Sequence, residues 1–291
     1  MTQKNKITEE TSSRFVQTSR WKLHYNEAGA GHPVIFLHGT GPGATGWSNF
    51  HQNIAAISSK YRTILLDFPG WGKSEVFDCT GESRTSANVE SVKLLMDELG
   101  LEKATLVGNS MGGAAVLEFM AKYPDRISHA ITMGSGIFSL PNFYSPSGLS
   151  EGLRIIVQTY RDPSPANFKK LTEIMVVDQT LASDDLAEQR SSASLATPEH
   201  LANWLKWPMR HPEGPYGGVQ ELMTKLSASQ TPTLLIHGRD DKTVPLETSL
   251  KTAPIIPNAR TIVFNKCGHW AQLEHCDEFN RLVLGFIEQF T

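Results

Sequence analysis

The chain has 291 residues, 40% hydrophobic and 20% charged, with a formal net charge of −3, so it can bury a large core but carries no cationic excess to recruit nucleic acid or an anionic membrane. No apolar run approaches the ~20 residues of a bilayer-spanning helix. The polar opening "MTQKNKITEETSSR" lacks the apolar stretch of a secretory signal, and three cysteines (Cys79, Cys267, Cys276) are too few for a disulfide framework, so a cytoplasmic location is expected.

In chain order, "RFVQTS" and "WKLHYNEAG" read as paired strands, "VIFLH" as a buried strand, and 47–58 as a helix. "YRTILLD" is the next strand, closed by the turn "FPGWGKS". Val89, Val92, Leu95, Met96 and Leu99 form a stripe at helical spacing over 86–99. "KATLVG" is a strand, "SMGGAAVLEFMAKY" a helix ended by Pro124, and "ISHAITMG" a strand. Short apolar runs alternating with helices predict an α/β architecture with a mostly parallel sheet covered on both faces.

The rhythm breaks over 139–212, where no strand is evident. Helix starts are expected at Ser164-Pro165, Ser183-Asp184-Asp185 and Thr197-Pro198, each with a capping oxygen, two with Pro at the first helical position. Such an insert reads as a helical cap on a core of residues 1–138 and 213–291. The sheet pattern returns with "TPTLLIHG", a helix, "RTIVFN" and a final helix from about Asp277.

Two motifs compete for the chemistry. Gly41, Gly43 and Gly46 spell G-x-G-x-x-G after the strand "VIFLH", and Asp67 ends the next strand where a ribose-binding acid would be sought. Pro42 inside the motif and the strand pair ahead of it speak against a dinucleotide cradle. The second motif is Gly108-Asn109-Ser110-Met111-Gly112, set between a strand and a helix. A turn that tight projects the serine above the sheet at the helix's positive end, with small neighbours relieving the clash.

A serine needs a base and a group to orient that base. Asp240 and Asp241 follow one strand and His269 the next, giving the order Ser…Asp…His. Asp241 fits a G-x-x-D-x-x-x-P spacing; Asp240 is left to support the turn. His38 and His237, at strand ends, are expected to organise loops. The oxyanion donors are expected to be the N–H groups of Met111 and, from the "HGTG" loop, Thr40. Cys267, His269, His275 and Cys276 match none of the usual zinc spacings.

"GTGPGATGWSNF", "GNSMGG", "GRDDKTVPL" and "CGHWAQLEHCDEFN" together resemble the meta-cleavage product hydrolases. These are α/β-hydrolases that cut a carbon–carbon bond in 2-hydroxy-6-oxohexa-2,4-dienoates, the ring-opened products of extradiol dioxygenases. The resemblance runs from about residue 14 to the C-terminus and includes "VVDQTLASDDLAEQR" in the cap. It implies no cofactor, a small-molecule dienoate substrate and a homo-oligomer. It also implies His269 for the proton movements, held by Asp241, and Ser110 as nucleophile or as the group that orients water. Arg190 would be the substrate-binding arginine, with Asn49 and Asn109 as neutral amides, for which turn stabilisation is the rival role. Trp270 is expected to wall the pocket, and some of Phe138, Phe143, Phe168, Met175, Trp204, Trp207 and Met209 to line its cap side. A carboxylesterase with the same triad is the nearest rival; a small-molecule receptor is a more distant one.

Overall fold

The computed structural model describes residues 7–78, 82–138, 140–145, 148–206 and 218–290. Helix α1 (Glu9–Ser12) leads into β1 (Ser13–Gln17), β2 (Lys22–Ala28), β3 (Pro33–Leu37), α2 (Gly46–Ser58), β4 (Arg62–Leu66), α3 (Arg84–Glu98), β5 (Ala104–Asn109), α4 (Met111–Lys122) and β6 (Ile127–Met133). Four helices follow: α5 (Glu151–Arg161), α6 (Pro165–Met175), α7 (Asp184–Leu195) and α8 (Pro198–Lys206). The chain then runs through α9 (Val219–Ala228), β7 (Thr233–Gly238), α10 (Glu247–Thr252), β8 (Ala259–Phe264), α11 (Ala271–Glu274) and α12 (Cys276–Gln289).

The strands form one sheet in the order β1-β2-β4-β3-β5-β6-β7-β8. β2 pairs antiparallel with both β1 and β4; the remaining pairings are parallel. Period-two alternation explains why both faces are covered. On β3, Val34 and Phe36 pack with Phe50, Ile54 and Ile57 of α2 and Phe279, Val283 and Ile287 of α12. Ile35 and Leu37 join the opposite cluster with Val89, Val92 and Leu95 of α3 and Val116 and Phe119 of α4. A strand buried on both sides must be apolar throughout, as "VIFL" is.

Local capping sets the helix starts. Thr45 and Ser48 form a reciprocal capping box at α2, and Ser83 and Ser183 cap α3 and α7 through their hydroxyls. At α6 the expected capping bond from Ser164 is not made: its hydroxyl turns to Asp162 Oδ2 at 3.3 Å, and Pro165 alone marks the start. Among the described residues, the stretch between β6 and β7 is helical and holds no strand. Helices α5 and α9 were not anticipated.

Candidate active site

β5 passes into α4 with Ser110 as the single residue between them, at φ 53° and ψ −114°. A non-glycine residue there is strained, and its neighbours show what holds it. A Cβ on Gly108 would lie 2.3 Å from the Gly112 backbone, and one on Gly112 would lie 2.1 Å from the Leu37 carbonyl oxygen. Strand and helix therefore meet backbone to backbone. The Ser110 N–H donates to the Met133 carbonyl at 2.8 Å, and Ser135 Oγ donates to the Ser110 carbonyl at 2.7 Å.

Asp241 lies in the turn after β7 and His269 in the loop after β8, so all three residues of the expected triad leave the carboxyl ends of strands. His269 Nδ1 donates to Asp241 Oδ2 at 2.7 Å, which leaves Nε2 as the basic nitrogen. Asp241 Oδ1 accepts from the N–H groups of Thr243 (2.7 Å) and Val244 (2.9 Å). Burial works against its charge, yet His269 and the hydrogen bonds from His237 and His269 hold its carboxyl well below the usual range. Asp240 is instead half-buried, with Oδ1 3.5 Å from Arg239 Nε. The Met133–Gly134 segment brings serine and imidazole to one place, because a Cβ on Gly134 would touch His269 Nδ1 at 2.9 Å. Among the described contacts Ser110 and His269 share no hydrogen bond. In resting sites this bond is often long and tightens around the reacting group.

The loop after β3 faces this pair. Met111 opens α4, so its N–H has no intrahelical partner, and neither it nor the Thr40 N–H is engaged in the described hydrogen bonds. His38 organises the loop as expected: its Nδ1 donates to the Gly39 carbonyl at 2.8 Å and its Nε2 accepts from the Phe68 N–H at 3.1 Å. Burial depresses its pKa, so it stays neutral.

The loop glycines answer to packing. A Cβ on Gly43, at φ +67°, would meet Ser194 N of α7 at 3.0 Å, and one on Gly46 would meet the Leu65 carbonyl carbon at 2.7 Å. Asp67 is fully committed, accepting from the N–H groups of Gly46 (2.8 Å) and Lys73 (3.1 Å) and contacting His24 Nδ1 at 2.8 Å. No donor-seeking carboxylate remains there for a ribose.

Gly39, Thr40, Asn49, Asn109, Leu171, Met175, Arg190, His269 and Trp270 are among the residues around an enclosed space of about 20 Å3. Arg190 reaches it from α7, with its guanidinium carbon 4.6 Å above the Trp270 ring. Burial pushes its pKa down to about 10, its Nε has no hydrogen-bond partner, and among the described residues no carboxylate pairs with it. A guanidinium so placed remains charged at neutral pH and lacks its anion.

Asn109 Nδ2 donates to the Met133 (3.2 Å) and His269 (3.3 Å) carbonyls, tying the nucleophile's neighbour to the base's backbone. Asn49 Oδ1 accepts from the Gly39 N–H at 3.4 Å while its Nδ2 donates to the Thr45 carbonyl at 3.1 Å. Both amides thus brace loops while bordering the cavity.

Of the cap residues expected to line the pocket, Met175 does, and its carbonyl accepts the His269 N–H at 2.7 Å. Phe168 is plain core, and Phe138 and Phe143 are exposed. Trp207 and Met209 lie outside the described residues, as does Cys79. Leu171, one turn before Met175, was missed, although its helical spacing from Phe168 and Met175 carried the signal. Trp204 instead donates from Nε1 to Thr40 Oγ1 at 3.2 Å and stacks on Tyr160 at 3.6 Å. Among the described residues no group of three or more His, Cys, Asp or Glu is disposed to hold a metal ion.

Next to that stack, His200 contacts Tyr160 OH at 3.2 Å and the Trp71 ring at 4.5 Å. Burial first, and then the Arg84 charge, push its pKa down to about 3. Below pH ~6.5 the unfolded chain binds a proton there that the folded chain refuses, so stability falls as the pH drops towards 3. Each pH unit in that window removes up to about 1.4 kcal/mol. In urea titrations at pH 7 and pH 5, His200→Phe is expected to lose less stability on acidification than the parent.

Comparison with known proteins gives a consistent picture. The alpha/beta hydrolase fold family matches residues 32–275. A 2-hydroxy-6-oxo-6-phenylhexa-2,4-dienoate hydrolase of Comamonas testosteroni is 42% identical over 289 residues, covering 97% of this chain and 99% of that protein. A 2-hydroxy-6-oxononadienedioate/2-hydroxy-6-oxononatrienedioate hydrolase of Paraburkholderia phymatum is 39% identical, covering 97% and 98%. Among solved structures, a variant of the meta-cleavage product hydrolase of Pseudomonas fluorescens complexed with acetates superposes with a TM-score of 0.82 at 30% identity, covering 96% of this chain and 98% of that one.

Proposed function

The chain belongs to the α/β-hydrolase fold family and, within it, to the meta-cleavage product hydrolases, and on that premise we propose how its residues divide the work of cleaving a 2-hydroxy-6-oxohexa-2,4-dienoate. Water is added across the C5–C6 bond. C6 leaves as a carboxylic acid, and C5 takes a proton in the 2-hydroxypenta-2,4-dienoate. A bare carbanion at C5 is too unstable to leave, so the dienol must first become its keto tautomer, which lets the departing electrons delocalise into a dienolate.

His269 Nε2 is the group that moves these protons, oriented by Asp241 through Nδ1. Ser110 Oγ acts on the C6 carbonyl, with the Thr40 and Met111 N–H groups receiving the oxyanion. Arg190 takes the substrate carboxylate as a fork, with Asn49 and Asn109 beside it and Trp270 as a wall. The core comprises 1–138 and 213–291, and 139–212 forms the cap. The enzyme needs no cofactor and works as a cytoplasmic homo-oligomer; no described helix is long and apolar enough to cross a membrane.

The observation that carries this reading over a carboxylesterase is Arg190. Both reactions use a serine, a base and an oxyanion pocket, but a simple ester offers nothing to a buried guanidinium that has no counter-ion among the described residues. Ring-opened dienoates do. The test is a panel of these yellow dienols with differing C6 groups. Rapid loss of visible absorbance with release of a hydroxypentadienoate and an acid is the expected result, and no turnover of any member would refute it.

A further inference from the structure

His237, the residue before the end of β7, is fully buried four positions ahead of Asp241. Its Nε2 lies 2.9 Å from the Val244 carbonyl oxygen and 3.4 Å from Asp241 Oδ2. Both are acceptors only, so Nε2 carries the hydrogen. Its Nδ1 contacts Ser249 Oγ at 2.7 Å, and that hydroxyl lies 2.8 Å from the Ser135 carbonyl oxygen. Ser135 Oγ in turn donates to the Ser110 carbonyl. One buried chain of polar contacts therefore runs from the triad's acid, through a second imidazole, to the backbone of the nucleophile.

We propose that His237 is a positioning residue of the reaction: its Nε2–H, bonded to the Val244 carbonyl, also lies 3.4 Å from Asp241 Oδ2 and sets a second imidazole beside the oxygen that receives the His269 Nδ1–H. The inference rests on the triad roles assigned above. A carboxylate oxygen with a second N–H dipole beside it holds its imidazole partner less tightly than one serving His269 alone. His237 thus tunes how firmly Asp241 holds His269, beyond organising its loop. The titratable groups on the surrounding elements are few. They are Asp241 and His269, the buried thiol of Cys267 with Asp240 and Glu274 near it, and on α10 Glu247, whose carboxylate is occupied by the N–H groups of Tyr144 and Ser145.

The test compares the full-length parent with His237→Leu and His237→Gln, the second retaining an N–H donor. In His237→Leu the acidic limb of the kcat/KM–pH profile is expected to move up by about half a unit, a threefold gain in proton affinity. The downfield proton resonance of His269 Nδ1–H should move as well; His237→Gln should keep both near the parent. That resonance requires no turnover, so it reports on His237 even if the dienoate reading fails. An unmoved limb and resonance in His237→Leu, or equal shifts in both variants, would overturn the proposal. Should His237→Leu not fold, the 15N spectrum of the parent decides: a hydrogen-bearing Nε2 on His237 is required, and a bare one refutes the assignment.

Discussion

Replacing Ser110 by alanine is expected to lower kcat on a dienoate by about three orders of magnitude or more while leaving substrate affinity nearly intact. Triad members act as a unit, so loss of one removes most of what the three achieve together. The substitution takes away only the hydroxyl. The elbow's strain is held by Gly108, Gly112 and the Ser110 backbone bonds to Met133 and Ser135, none of which involves the serine oxygen. Arg190, Trp270 and the loop amides remain in place to bind. A single-turnover experiment with visible detection separates the two quantities. Retained binding with collapsed cleavage is the expected pattern, and a rate within tenfold of the parent would remove Ser110 from the mechanism.

The second large effect concerns Arg190. Changing it to alanine is expected to reduce kcat/KM for a dienoate about 100-fold, mainly through KM, because a buried charge-assisted fork to a carboxylate is worth several kcal/mol. Hydrolysis of a short-chain aryl ester by the same variant should change by less than about threefold. The contrast arises because Arg190 has no counter-ion among the described residues and is held against the Trp270 face. Its removal strands no hydrogen-bond partner among the described residues, so the loss reads out binding and not collapse. Equal losses on both substrates would assign Arg190 to the architecture of the cap.

Much of this arrangement was legible before any coordinates. The alternation of apolar strands and helices gave the sheet, because a residue run buried on both faces has no polar positions to confuse it. The Gly-Asn-Ser-Met-Gly turn was legible because backbone contacts near 2 Å tolerate no other residue type at two of its positions. Helix α5 carried a readable start at Ser150, whose hydroxyl caps the Leu153 N–H, and it was overlooked. Helix α9 offered none: it begins after Gly218 at φ 86° without a side-chain cap. The Tyr160–Trp204 stack and its bond to Thr40 join residues 164 positions apart, and no local pattern encodes such a meeting. Phe138 and Phe143 misled for the opposite reason: hydrophobicity alone does not say which aromatic faces inward.

The enclosed space of about 20 Å3 holds a single water-sized group, far less than a six-carbon dienoate. To bind one there, the side chains of Leu171, Met175 and Arg190 around that space must give way. Trp204 of the neighbouring α8 is tied to Thr40, so any shift of that helix is felt in the loop after β3.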